Sequence, residues 1–190
     1  MDAIRLILAI AFVDLGFILS LLGHEFGHAI AMRLFRLRVD RIVSGSGWTF
    51  LHFPWAEARV ELKVLPTWGF TEAPDLPSLP AIDQRLIFIA GPVGSIVTAI
   101  IFEAIYTLIR GHGAVLGLHF TNAMRLFALV NVFIAVFNLI PLPPLDGFRL
   151  LMAGRRITPE QDRQFRWLAY GVIAISIVLA FIYQPMLWRF

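Results

Sequence analysis

The sequence predicts a membrane-embedded α-helical protein with about four spans and a small β element between the first and second. Three observations carry this. Hydrophobic residues make up 58% of the 190 and charged residues only 15%, against roughly 45–50% and 25% in an ordinary globular domain. The apolar residues gather in long runs at about 4–34, 86–109, 121–140 and 167–187; at ~1.5 Å per residue each can cross a hydrocarbon core of ~30 Å. The one long polar interval lies between the first two runs, and about 38–66 of it is rich in strand-like alternation.

The first run, 4–34, exceeds the thickness of the core and ends at Arg33, Arg36, Arg38 and Arg41. Gly16, Ser20, Gly23, Gly27 and Ala31 fall on one narrow face of such a helix, a small-residue stripe that lets a neighbour approach closely in lipid. Asp14 shares the face of Glu25, eleven residues on, and an interhelical hydrogen bond is its expected use. After the cationic end, Trp48–Phe53 and Ala58–Val64 read as short strands, the second with one wet face. Pro74, Pro77 and Pro80 make an extended connector. In the second span, Gly91-Pro92-Val93-Gly94-Ser95 marks a kink and a close contact; Glu103, near its outer end, is expected to snorkel or pair with Arg110. A glycine-rich turn at 110–120 precedes the third span, which ends in Pro141-Leu142-Pro143-Pro144-Leu145-Asp146-Gly147, a sequence that cannot remain helical. A short helix restarts at Phe148–Met152, and Pro159 opens the approach to the fourth span, with Tyr183 and Trp188 as an interfacial belt. The whole reads as one polytopic domain, 1–190.

The net charge of +3 comes from arginine. These cations flank apolar runs and so read as topology signals and headgroup anchors, with no nucleic acid as partner. Twelve of the sixteen Lys and Arg fall in the intervals 33–85 and 149–166, and Arg5, Arg110, Arg125 and Arg189 lie opposite. Positive-inside places the termini outside and the first span's C-terminal end at the cytoplasmic face. No cysteine is present, which excludes disulfides and a thiolate metal site. The apolar N-terminus carries no small-residue cleavage pattern and reads as a retained helix.

The chemistry concentrates in Gly23-His24-Glu25-Phe26-Gly27-His28. Two histidines four apart lie one above the other on a helix, the spacing that gives zinc two imidazole ligands while the adjacent glutamate reaches water at the metal as general base. Ionisable residues inside a span are costly without a use. A catalytic zinc takes a third protein ligand. Asp146 is the strongest candidate, because it follows a forced unwinding at the same end of a span; His52, His112 and His119 are weaker ones. Asn131 and Asn138 share a face of the third span, and Asn138 lies close enough to the proline turn to offer its amide to a developing oxyanion. Ser95 has no base beside it in sequence and is not read as a nucleophile.

His24-Glu25-Phe26-Gly27-His28, taken with Phe137-Asn138-Leu139-Ile140-Pro141-Leu142-Pro143-Pro144-Leu145-Asp146-Gly147 and Ala90-Gly91-Pro92, resembles the site-2 protease family of intramembrane zinc metalloproteases over about residues 4–152. The resemblance implies one zinc ion held by His24, His28 and Asp146, Glu25 as the catalytic base, and Asn138 as a substrate- or transition-state-contacting residue. Family members often carry Asn where this chain has Ser95. The length leaves room for neither the PDZ nor the CBS domain of many relatives, implying a minimal member.

The expected function is an intramembrane zinc endopeptidase that cuts a transmembrane segment of a membrane-protein substrate, in a bilayer best matched by a prokaryotic cytoplasmic membrane, with the active site toward the cytoplasmic side. A helical substrate must unwind before attack. A strand within 44–64 is suited to hold the unwound segment by edge pairing, so prolines at alternate positions of 58–64 are expected to impair cleavage. The alternative is a non-catalytic zinc-containing membrane protein that binds client helices.

Overall fold

In the computed structural model, residues 3–110 and 118–155 are described, together with 158, 160, 161, 163–168, 170 and 171. The chain runs α1 (Ala3–Leu34), β1 (Arg41–Trp55), β2 (Ala58–Glu72), a single 3-10 turn (Leu76–Ser78), α2 (Ala81–Ile109), α3 (Leu118–Asn138) and the short α4 (Asp146–Met152). Among the described residues, three stretches are long and apolar enough to cross a membrane: Leu6–Leu34, Ala81–Ile109 and Thr121–Asn138. The expected fourth span lies outside the described residues from 172 onward, as does most of the glycine-rich turn, 111–117. The second helix begins earlier than the apolar run because Pro80 sets its start and polar Asp83 and Gln84 fill its first turn. The helix continues through Pro92. The short helix after the proline turn begins at Asp146 itself, two residues before its expected start.

The small-residue face of α1 is what gathers the helices. A methyl group on Gly27 would lie 2.1 Å from the Ala90 carbonyl oxygen of α2, and one on Gly23 would lie 2.0 Å from Thr98 Oγ1. One turn further toward the N-terminus the partner changes to α3, where the Phe127 ring fills the space over Gly16 and Asn131 Nδ2 donates to Ser20 Oγ at 2.8 Å. Contacts Gly16–Phe127 and Ser20–Asn131 rise together, so α3 runs parallel to α1. Contacts Gly27–Ala90 and Gly23–Thr98 run oppositely, so α2 is antiparallel. Phe127 is fully buried among Phe12, Phe17 and Phe102 and forms the apolar centre of this layer. Outward side chains such as Ile7, Leu8, Ile100, Leu129 and Phe133 stay exposed, as a lipid-facing surface requires.

The β element is longer than the sequence suggests, ending at Glu72 and not near 66. Its missed portion, Leu65-Pro66-Thr67-Trp68-Gly69-Phe70-Thr71-Glu72, contains two residues that normally break strands. Pro is tolerated where a strand is an edge, and here it is one. β1 and β2 turn at Trp55/Ala58 and pair antiparallel, with Phe53 opposite Val60, then bend back. Arg41–Ser44 thereby lies between two parts of β2, with Ile42 opposite both Val60 and Thr71. The adjoining Asp40 bridges the same two parts: Arg59 N–H donates to its carbonyl and its own N–H donates to the Glu72 carbonyl. Residues 59–62 are therefore central, paired along both sides, and cannot offer an edge to anything else. The unpaired edge among the described residues beside α1 belongs to 65–72. The sheet's buried end, Ile42, Val60 and Leu62, packs with Ala29, Met32 and Ile87. Its other end bears Trp48, Phe50, Leu51, Leu65 and Trp68, all exposed, and Pro66 lies against Ala9–Phe17 of α1.

Candidate metal centre

The α1/α2 contact brings both imidazoles of α1 against one glycine of α2. A methyl on Gly91 would lie 2.2 Å from His28 Nε2 and 2.9 Å from His24 Nε2, so only glycine leaves room for the pair. The same helix anchors both rings from behind. His28 Nδ1 donates to the Ile87 carbonyl at 2.8 Å, and His24 Nδ1 lies 2.9 Å from Ser95 Oγ. Such outer hydrogen bonds fix ring orientation and tautomer, directing Nε2 inward.

Asp146 arrives from the other side. Leu139–Leu145 leaves the helical path, with a cis peptide between Pro143 and Pro144, and Gly147 packs so closely on the end of α3 that a methyl there would lie 2.2 Å from the Leu139 carbonyl oxygen. Asp146 Oδ2 thus reaches His24 Nε2 at 3.0 Å and His28 Nε2 at 3.1 Å. The three residues are buried, between 5% and 8% exposed, and offer ligand atoms all within 4.8 Å of one another. Among the described residues they form a candidate metal site of two nitrogens and one carboxylate oxygen.

The chemistry of this donor set fits a cation. Because a carbonyl can only accept, His28 Nδ1 must carry its ring proton, which leaves a neutral ring with a lone pair on Nε2. That lone pair would face a carboxylate oxygen. A proton or a metal ion must lie between them. With protons there, burial pushes the Asp146 carboxyl up, but hydrogen bonds from His24 and His28 outweigh it and hold the group well below the usual carboxylate range. A divalent metal would satisfy all three atoms together, with His24, His28 and Asp146 as its protein ligands.

Glu25 sits beside this trio and is fastened by the sheet. Thr71 Oγ1 donates to Glu25 Oε2 at 2.8 Å and lies 3.0 Å from the Glu25 carbonyl oxygen. The backbone at Gly69 presses so near that a methyl there would be 2.8 Å from Glu25 Oε1. Neither Thr71 nor Gly69 carries a signal in the sequence; they lie between the strand-like interval that ends near 66 and the proline connector that starts at Pro74. Ser95, already marked by the family resemblance as a position where relatives often carry Asn, meets His24 Nδ1 across the helix contact. Asn138 remains at the proline turn, where its Nδ2 donates to the Ile134 carbonyl at 2.9 Å. His52 lines a separate surface depression with Pro54, Glu57 and Arg59, away from the metal site. His112 lies outside the described residues, and the structure describes only the backbone at His119. Asp14 makes no interhelical hydrogen bond among the described residues, because the described helices pack on the small-residue stripe, through Gly16, Ser20, Gly23 and Gly27.

Three apolar helices, a bent sheet docked on the first, and a buried two-histidine, one-aspartate cluster with an adjacent glutamate define the membrane-embedded metalloprotease class. The chain belongs to peptidase family M50, whose description it matches over residues 12–180. It is 28% identical over 116 residues to YwhC of Bacillus subtilis, named as a candidate zinc metalloprotease, covering 57% of this chain and 53% of that protein. A second candidate zinc metalloprotease, slr1821 of Synechocystis, is 27% identical over 108 residues, covering 50% of this chain and 28% of the relative. The chain thus spans about half the length of the first relative and less of the second. In fold it is similar to the site-2 protease from Methanocaldococcus jannaschii, with a TM-score of 0.54, 18% identity, and coverage of 91% of this chain and 68% of that one.

Proposed function

We propose that this chain is an intramembrane zinc endopeptidase that hydrolyses a peptide bond in or near a transmembrane segment of another membrane protein. The observation that carries the reading is the trio His24, His28 and Asp146 with Glu25 beside it. Three ligands with no fourth among the described residues is the pattern of a catalytic zinc, where a structural zinc is closed by four. Zinc held there would polarise the substrate carbonyl and acidify water. Glu25, aligned by Thr71, accepts a proton from the attacking water and returns it to the departing amine. Asn138 Nδ2 carries two N–H groups and spends one on the Ile134 carbonyl, leaving the second for the oxyanion that forms at the carbonyl.

A helical substrate has its carbonyls engaged, and the sheet supplies a way to hold it open. Lipid-exposed sheet edges are not tolerated at membrane depth, so the unpaired edge of 65–72 favours an extended partner. The cation distribution supports the cytoplasmic side of a prokaryotic membrane for the site. The non-catalytic alternative has no observation in its favour.

Glu25→Gln is the deciding variant. It should retain zinc and lose cleavage, and membrane-protein fragments that vanish from cells carrying it would name substrates. Asp146→Ala should lose zinc; full occupancy in that variant would overturn the coordination.

A further inference from the structure

Outside the metal site, one acid in the first span has no described partner. Asp14 is partly exposed near the middle of α1, and no hydrogen bond or ion pair involves it among the described residues. It lines a groove of about 450 Å³ whose other walls are Ala9, Ile10, Val13, Phe17 and Pro66. A carboxyl group at that depth is costly unless something meets it, and a side chain with a single methylene cannot reach the interface as Lys or Arg does.

We propose that this groove seats the substrate's transmembrane helix and that Asp14 selects substrates carrying a lysine or arginine on that helix. The inference rests on the protease reading and adds a specificity-determining residue to it. Two features tie the groove to the site. Asp14 and Glu25 are separated by eleven residues, about three turns, so they share a face of α1 roughly 16 Å apart along its axis. The far wall, Pro66, begins the same edge segment that carries Gly69 and Thr71 against Glu25. A helix lying along this face passes Asp14, meets the unpaired edge, and unwinds beside the metal ligands. The occupant is cationic because the groove is otherwise apolar and its single ionisable group is an acid. Lysine in mid-span is itself costly in lipid, which makes the pairing discriminating. The spacing also sets where the cation falls: about eleven residues from the cut bond if the intervening substrate is helical, and about five if it is extended.

The test uses the full chain in phosphatidylcholine–phosphatidylglycerol vesicles with a single-pass Leu/Ala substrate interrupted by one Asn–Pro step, carrying Lys moved one residue at a time, with Glu and all-Leu versions beside it. The wild type should cut the best-placed Lys substrate about tenfold or more faster than the all-Leu parent, and Asp14→Lys should transfer that preference to a Glu substrate. A photo-crosslinker at Ala9 in the Glu25→Gln protein should capture the Lys substrate, and capture should fall in Glu25→Gln/Asp14→Leu. Glu25-dependent cleavage indifferent to the Lys and to Asp14 would overturn the inference and leave the protease reading intact. Capture of lipid, or of this chain's own residues 172–190, in place of substrate would overturn it as well. Failure of Glu25-dependent cleavage on every substrate would instead count against the protease reading, and the crosslink then decides the groove's occupant alone.

Discussion

Ser95 Oγ on α2 lies 2.9 Å from His24 Nδ1 on α1, behind the ring whose Nε2 faces Asp146. With a metal ion on Nε2, the ring proton would sit on Nδ1 and be donated to that hydroxyl. Outer-shell bonds of this kind are worth about 10–100-fold in metal affinity or activity. Ser95→Ala should therefore weaken zinc binding by that order, measured by competition against a chelator of known affinity. Unchanged affinity would remove Ser95 from the site.

Gly91→Ala should separate metal binding from folding. The new methyl would lie 2.2 Å from His28 Nε2, so the ring must turn away, and zinc stoichiometry should fall well below one while the helices remain packed. Gly27→Ala should act differently, because its methyl would lie 2.1 Å from a backbone oxygen of α2 that cannot move alone. Overpacking commonly costs about 1–3 kcal/mol, so Gly27→Ala should lower thermal stability in detergent. A Gly91→Ala protein with full zinc content would contradict the geometry.

Thr71→Val removes the hydroxyl that donates to Glu25 Oε2 and keeps the volume. Hydrogen bonds to charged groups contribute about 1.5–3 kcal/mol. Turnover should drop on the order of 10–100-fold with zinc content unchanged. Equal turnover in the two proteins would show that the base is oriented by something else.

Proline in the sheet is best placed at Thr67, Trp68 and Phe70, on the edge segment, and not in 59–62, where pairing on both sides makes any proline a folding defect. Positions whose N–H points to the unpaired edge should lose cleavage of a transmembrane substrate and keep their melting temperature. Retained cleavage at all three would exclude edge pairing as the holding device.

What could be read from the chain was whatever repeats with helical period or forbids it. His24 and His28 share a face by spacing alone, and the prolines from 141 to 144 announce a break that delivers Asp146; the structure brings these three together. The stripe from Gly16 to Ala31 likewise declares a packing face, although not that its two ends serve different helices. The sheet was less legible because strand pairing is non-local: Pro66 and Gly69 hide an edge strand behind the residues that usually end one. Ser95 was legible only in part: the family resemblance marks its position as one where relatives often carry Asn, but not that its hydroxyl meets His24. A serine inside a span normally returns its hydroxyl to its own helix, as Thr98 does toward the Gly94 carbonyl, and nothing in the sequence distinguishes the exception.

Thr71 Oγ1 lies within hydrogen-bond distance of both the side chain and the main-chain carbonyl of Glu25, so the strand and Glu25 form one rigid piece. For inhibitor chemistry that piece is a ruler. A β-strand mimic lying on the edge from Leu65 to Thr71 would find the metal ligands at a constant offset, and a chelating warhead could be joined to it by a short, stiff spacer. A compound built this way would take its potency from preorganisation, while one with a floppy linker would give it up as entropy.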